Sequence, residues 1–197
     1  MEFVFPFDFP ILEYIQTYFR NGITDAFFPA ITHLGDAGIL WIVLTALLLI
    51  FPKTRKIGFC SAIALAVNFL IVNIGLKPVI NRTRPYHMEN EYLAYGLELL
   101  TKIQLDPSFP SGHTTASFAS ATGIFAYNKK FGIAAFITAV LIGFSRLYVA
   151  VHFPSDVFAG VLIGIVCGVI AYFINEAIVK AINKKKASKT AGAETVE

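Results

Sequence analysis

The chain has 197 residues, of which 56% are hydrophobic and only 15% charged. Soluble domains carry about 25% charged residues, so this composition excludes a water-soluble globule and describes one compact polytopic membrane domain. A net charge of +3 argues against a nucleic-acid partner. Cys60 and Cys167 both lie in apolar runs, which leaves neither a disulfide framework nor a metal-ligand spacing.

Residues 1–35 are aromatic-rich but interrupted by Pro6, Pro10, Asn21, Gly22 and Pro29. Ile11, Leu12, Ile15, Tyr18 and Phe19 recur near helical spacing, with Glu13, Gln16 and Arg20 between them. That pattern predicts amphipathic helices lying in the membrane interface. No basic stretch precedes a short apolar core, so no cleaved signal peptide is expected. A membrane domain over 36–182 follows, with spans near 36–52, 57–80, 112–128, 131–150 and 154–179. Each needs about 20 residues to cross. The third is polar for a span (Thr114, Thr115, Ser117, Ser120, Thr122) and should face other helices. In the fifth, Gly160, Gly164 and Gly168 form a stripe for close helix packing, a spacing that also suits homodimerisation. Residues 183–197 read as a disordered basic cytoplasmic tail. The expected fold is an all-α membrane helix bundle of about five spans with an interfacial N-terminal segment.

Lysine and arginine are unevenly placed. One set of loop ends holds Lys53, Arg55, Lys56, Lys129, Lys130, Lys180, Lys184, Lys185, Lys186 and Lys189; the other holds Arg20, Lys77, Arg82, Arg84, Lys102 and Arg146. Ten against six makes the first side cytoplasmic by the positive-inside rule. The 81–111 loop and the turn at His152 then lie outside.

Three segments converge on that outer face: "KPVINRTRP" (77–85), "PSGH" (110–113) and "SRLYVAVHFPSD" (145–156). Lys77, Arg84 and Arg146 bring three cations together, and arginine's planar fork matches phosphate oxygens two at a time. Ser111 and Gly112 open a helix whose first N–H groups suit an anion, and Gly112 allows close backbone approach. His152 and Asp156 are four residues apart, so the carboxylate can hold one imidazole nitrogen and leave the other for attack. His113, from another helix, can protonate a leaving oxygen and later deprotonate water.

The spacing Lys77-x6-Arg84-Pro85, Pro110-Ser111-Gly112-His113 and Ser145-Arg146-x5-His152-x3-Asp156 resembles the tripartite signature of the type 2 phosphatidic acid phosphatase superfamily. The resemblance spans about residues 30–180. It implies a metal-independent lipid phosphatase of the bacterial inner membrane, with no cofactor and its site on the extracytoplasmic side. His152 would be the nucleophile that forms a phosphohistidine, Asp156 its orienting carboxylate and His113 the acid and base. Lys77, Arg84, Ser111, Gly112 and Arg146 would bind phosphate. Substrates in reach are undecaprenyl diphosphate, phosphatidylglycerol phosphate, phosphatidic acid and lipid A phosphates. A vanadium-dependent haloperoxidase shares the cradle but is soluble, and a non-catalytic binder or flippase would not need both histidines and the aspartate.

The 86–109 loop favours undecaprenyl diphosphate. Its apolar set (Tyr92, Leu93, Tyr95, Leu97, Leu99, Leu100, Ile103) is expected to dip into the outer leaflet. Its acidic set (Glu89, Glu91, Glu98, Asp106) is expected to repel a large anionic headgroup.

Overall fold

Helix boundaries follow the punctuation of the sequence. In the computed structural model, which describes residues 3–194, Asn21 opens a helix by accepting from the N–H groups of Ile23 and Thr24, and the Thr24 hydroxyl answers the Asn21 N–H at 2.9 Å. The helices in chain order are α1 (Asp8–Tyr18), α2 (Gly22–Leu34), α3 (Ile39–Ile50), α4 (Arg55–Asn68), α5 (Lys77–Ile80), α6 (Glu89–Ala94), α7 (Gly112–Tyr127), α8 (Lys129–Tyr148) and α9 (Pro154–Glu194). A π-helical stretch, Phe69–Leu76, joins α4 to α5. Among the described residues the fold is all-helical.

Three stretches are long and apolar enough to cross a membrane: Arg55–His87, Lys129–Tyr148 and Pro154–Lys185. Gly22–Leu34 and Asp36–Ile50, bent by 49°, add a fourth if they count as one span. Beside the expectation of about five spans stand these three stretches, or four with the bent pair, that qualify by length and composition. The span expected near 112–128 is a 16-residue helix, α7, shorter than a bilayer needs. It is also the centre of the bundle, packed on α4, α8 and α9. Within the segment expected to be interfacial, α2 leads into α3 through that bend. The region expected to be a disordered tail continues α9 as far as Glu194, and 195–197 lie outside the described residues.

Apart from the unpartnered Thr122 hydroxyl, the polar face of α7 is satisfied by its own turns and by neighbouring helices. The Trp41 indole donates to Ser117 at 2.8 Å, and Thr45, Ser61 and Ser120 form a hydroxyl chain with 2.7 Å links. In a bilayer such groups have no water to turn to, so they bond across helices. The glycine stripe serves the same packing. A Cβ at Gly164 would lie 2.6 Å from the Thr115 carbonyl, and one at Gly168 would lie 2.4 Å from the Thr122 Cβ. Cys60 and Cys167 are both free and buried.

Two left-handed residues aim the site. Asn81 (φ 44°) ends α5 and turns the chain into the non-helical run that carries Arg82 and Arg84. Ala150 (φ 53°) breaks the path between α8 and α9 just before His152. A non-glycine residue there costs on the order of 1 kcal/mol, which the fully buried surroundings of Val149, Ala150 and Val151 must offset.

Candidate active site

A cavity of about 720 Å³ opens where α5, α7 and the α8–α9 turn meet. Lys77, Arg84, Gly112, His113 and His152 all line it, so residues from three distant segments share one space. Its wall continues along Ile42, Leu65, Phe69 and Ala116, apolar side chains suited to a lipid chain. Ser111, Arg146 and Asp156 stand behind this lining and are fully buried.

His152 is held from both edges. Its Nδ1 lies 3.4 Å from Asp156 Oδ2, and its Nε2 lies 3.2 Å from Arg84 Nη1. With Nδ1 toward the carboxylate, the Nε2 lone pair is left toward Arg84 and the cavity. Burial, and then the positive charges of Arg84, Arg146 and Lys77, hold this imidazole well below its usual pKa of 6.5. It is therefore neutral, and nucleophilic, near pH 7.

The cations are arranged for an anion. Lys77 pairs with Asp106, and Arg84 donates to both the carboxylate (2.9 Å) and the carbonyl (2.8 Å) of that residue. Burial would push the Asp106 carboxyl up, but Lys77 and Arg84 bring it below the ordinary carboxylate range. Arg146 makes one bond, 2.6 Å from Nη1 to the Thr32 hydroxyl, and its Nε and Nη2 are buried without a partner. Buried donors of a charged group are normally satisfied, so this guanidinium has donors to spare for acceptor oxygens. Ser111 caps α7 without accepting from a helix backbone N–H, its hydroxyl taking the Thr114 hydroxyl instead at 3.0 Å, and the helix starts on the cavity wall at Gly112 and His113. A Cβ at Gly112 would come within 3.7 Å of Lys77 Nζ, which puts the two signature segments side by side.

Besides Asp106, the structure adds four residues that the sequence reading did not place in the site. Asp36 Oδ1 lies 2.9 Å from His113 Nε2. Ser108 donates to Asp156 Oδ2 and lies 3.4 Å from His152 Nδ1. Arg82 binds Asp156 from the other side and in turn binds Asp8 at 2.8 Å. A sequence signal existed for two of them: Arg82 sits two residues before Arg84, and Asp8 is a lone carboxylate in the aromatic run "FPFDFP".

The 86–109 loop departs from expectation. Tyr92 and Leu97 do not dip into lipid; they are buried against Phe9 and Leu12 of α1, while Leu93, Ile103 and Leu105 are exposed. Of the acidic set, Asp106 sits in the cradle and Glu98 pairs with Arg20 at 2.8 Å, which leaves Glu89 and Glu91 exposed on α6.

The sequence profile of the PAP2 superfamily matches residues 55–180. An undecaprenyl-diphosphatase of Sulfolobus acidocaldarius is 39% identical over 126 residues, 64% of this chain and 58% of that protein. A lipid A 4′-phosphatase of Bacteroides thetaiotaomicron is 28% identical over 165 residues, 79% of this chain and 73% of that one. The crystal structure of Aquifex aeolicus LpxE superposes with a TM-score of 0.74 at 33% identity, covering 87% of this chain and 98% of that one.

Proposed function

The chain belongs to the PAP2 superfamily, and from that footing we propose that it is a lipid phosphatase working through a phosphohistidine on His152. The observation that carries the reading is the orientation of that ring, with Nδ1 toward Asp156 and Nε2 toward Arg84 at the cavity. Nε2 attacks phosphorus, the bond from phosphorus to the leaving oxygen breaks, and His113 delivers the proton to that oxygen. Water, deprotonated by His113, then attacks the phosphohistidine, and inorganic phosphate leaves with His152 restored. Lys77, Arg84, Arg146 and the start of α7 neutralise the charge on the equatorial oxygens. Asp106 must leave Lys77 and Arg84 when the phosphate enters.

The substrate we favour is undecaprenyl diphosphate, cleaved at its terminal phosphorus on the extracytoplasmic side. The apolar cavity wall suits a polyprenyl chain, exposed Glu89 and Glu91 disfavour a large anionic headgroup, and the similar Sulfolobus protein is named for this substrate. The outward orientation rests on the ten-to-six charge asymmetry. Lipid A phosphate is the second reading, carried by the name of the Bacteroides relative. Phosphate release in matched mixed micelles tests the choice: kcat/KM should be highest on the polyprenyl diphosphate and should fall in preference when Glu89 and Glu91 become Gln. Equal or faster turnover of a lipid A phosphate would overturn the assignment.

A further inference from the structure

The nucleophile's carboxylate does not stand alone. Asp156 Oδ2 faces His152 and accepts from Ser108 and from the Phe153 N–H at 2.9 Å, whereas Oδ1 is taken by Arg82 Nη1. Arg82 is almost completely buried and every part of it is held. Nη2 donates to Asp8 at 2.8 Å, Nη1 also donates to Ser155 at 2.8 Å, and Nε donates to the Phe3 carbonyl at 3.0 Å. The rings of Phe3 and Phe153 lie 4.3 and 4.2 Å from its guanidinium carbon. Asp8, the first residue of α1, is fully buried and also accepts from the Ser155 N–H (3.0 Å) and hydroxyl (2.8 Å).

We infer that Asp8 and Arg82 are positioning residues for the His152–Asp156 couple, with Asp8 keeping that couple negatively charged. The inference rests on the phosphohistidine reading above. Its physical core is a count of buried charges. Arg82 paired with Asp156 alone would be neutral, and a neutral partner gives little support to an imidazole that becomes positive as Nε2 takes the phosphoryl group. Two carboxylates on one guanidinium leave a net charge of minus one beside His152 Nδ1. The same contacts fix Oδ1, so only Oδ2 can turn to the ring. Docking α1 by itself would not need three buried charges, because apolar side chains of similar volume do this at lower desolvation cost.

Other charges face the ring: Asp156 from α9, Arg84 from the segment after α5, Arg146 from α8, Lys77 from α5 and His113 from α7. Asp106 reaches it only through Arg84 and Lys77. The cations among these stay fixed when Asp8 or Arg82 is changed, so the pH profile isolates the relay.

The test is a charge-balance cycle on the full-length protein in detergent. Asp8→Asn makes the trio neutral; kcat should fall about tenfold or more, as for outer-shell partners elsewhere. KM should stay nearly constant, and the acidic limb of kcat/KM should move to lower pH. Arg82→Gln leaves two negative charges and should move that limb to higher pH. The double variant Asp8→Asn/Arg82→Gln restores minus one, and should recover both the limb and part of the lost kcat relative to either single change. Should Arg82→Gln fail to fold, Asp8→Asn and the double variant still give a shift to lower pH and its reversal. An acidic limb that stays put in all folded variants, with kcat tracking only the folded fraction, would reduce the relay to a dock for α1 and overturn the inference. Failure of the underlying reading looks different: phosphoenzyme would then persist in His152→Ala.

Discussion

Where α4 begins and α7 finishes, four polar side chains close on one another. Lys56 pairs with Glu176 at 2.7 Å, and Tyr127 donates to Glu176 at 2.6 Å. Asn175 then donates to the Tyr127 oxygen at 2.9 Å and to the Lys56 carbonyl at 3.2 Å. At the other end of α7 the arrangement is open: Arg146 keeps two unpaired donors, and the Asn68 carbonyl oxygen is unpaired beside the cavity. Each end holds a buried polar side chain among apolar helices, Asn175 at the closed end and Arg146 at the open one, but only the open end leaves the donors of a charged group unmet. In a membrane an unmet donor is costly, so the open end is the one shaped by something absent from the protein itself. A phosphate with several acceptor oxygens meets that demand, and the closed end has no place for one.

The contrast is broken most severely at the nucleophile. His152→Ala should lose all measurable turnover, a drop of at least about 10³-fold, and form no acid-labile phosphoenzyme. Asp156→Asn should lose about 10²- to 10⁴-fold, because the imidazole survives with poor orientation. The same site predicts a pH signature. A His152 pKa held below 6.5 means that the unfolded chain binds more protons than the folded one just under that value. Stability should therefore be full above pH 6.5 and decline as pH falls below it. The acidic limb of kcat/KM, if it reports His152, should lie below 6.5; a limb at or above that value contradicts the burial argument.

Next in size is Arg146→Gln. Removing a preorganised charged donor from a phosphate site should cost about 10²- to 10³-fold in kcat. Vanadate, which mimics the pentacoordinate transition state, should raise the melting temperature of the wild type and much less that of the variant. Equal stabilisation of both would show that the unpaired guanidinium serves no ligand. EDTA should change neither activity nor the vanadate effect.

The eight signature residues were legible in the sequence because the chemistry fixes both their types and their spacing. Their supports were not. Asp36 and Ser108 act through partners 77 and 48 residues away, so no local pattern marks them. The exact number of spans was not legible for a related reason. Length and hydropathy describe a helix in lipid, whereas α7 is short, polar and enclosed by α4, α8 and α9. In the 86–109 loop, Tyr92 and Leu97 looked membrane-seeking because nothing in their own segment shows that α1 covers them.

A smaller effect is expected at Asp106, the carboxylate seated between Lys77 and Arg84. Asp106→Asn should tighten inhibition by inorganic phosphate or vanadate by roughly 3- to 10-fold, since the incoming anion no longer competes with a resident one. Because the two cations hold its pKa below the ordinary carboxylate range, this competition should persist unchanged at pH 5. Weaker inhibition in the variant would mean that Asp106 assembles the cradle instead of occupying it.

The smallest effect on catalysis should come from the closed end. Tyr127→Phe removes the hydroxyl that links Asn175 to Glu176 while keeping the ring that Lys56 covers at 4.6 Å. One hydrogen bond to a partly exposed carboxylate is lost, and the Asn175 amide is left short of a partner, so the melting temperature should fall. Lys56 and Glu176 stay paired, so the helix ends should remain together. Turnover should not change, because nothing in the Lys56–Tyr127–Asn175–Glu176 cluster lines the cavity. A melting temperature lowered at constant kcat and KM is the expected pair of results. If kcat fell instead, with stability intact, the two ends of α7 would be coupled. Unmet hydrogen bonding would then no longer distinguish the end that binds from the end that only holds.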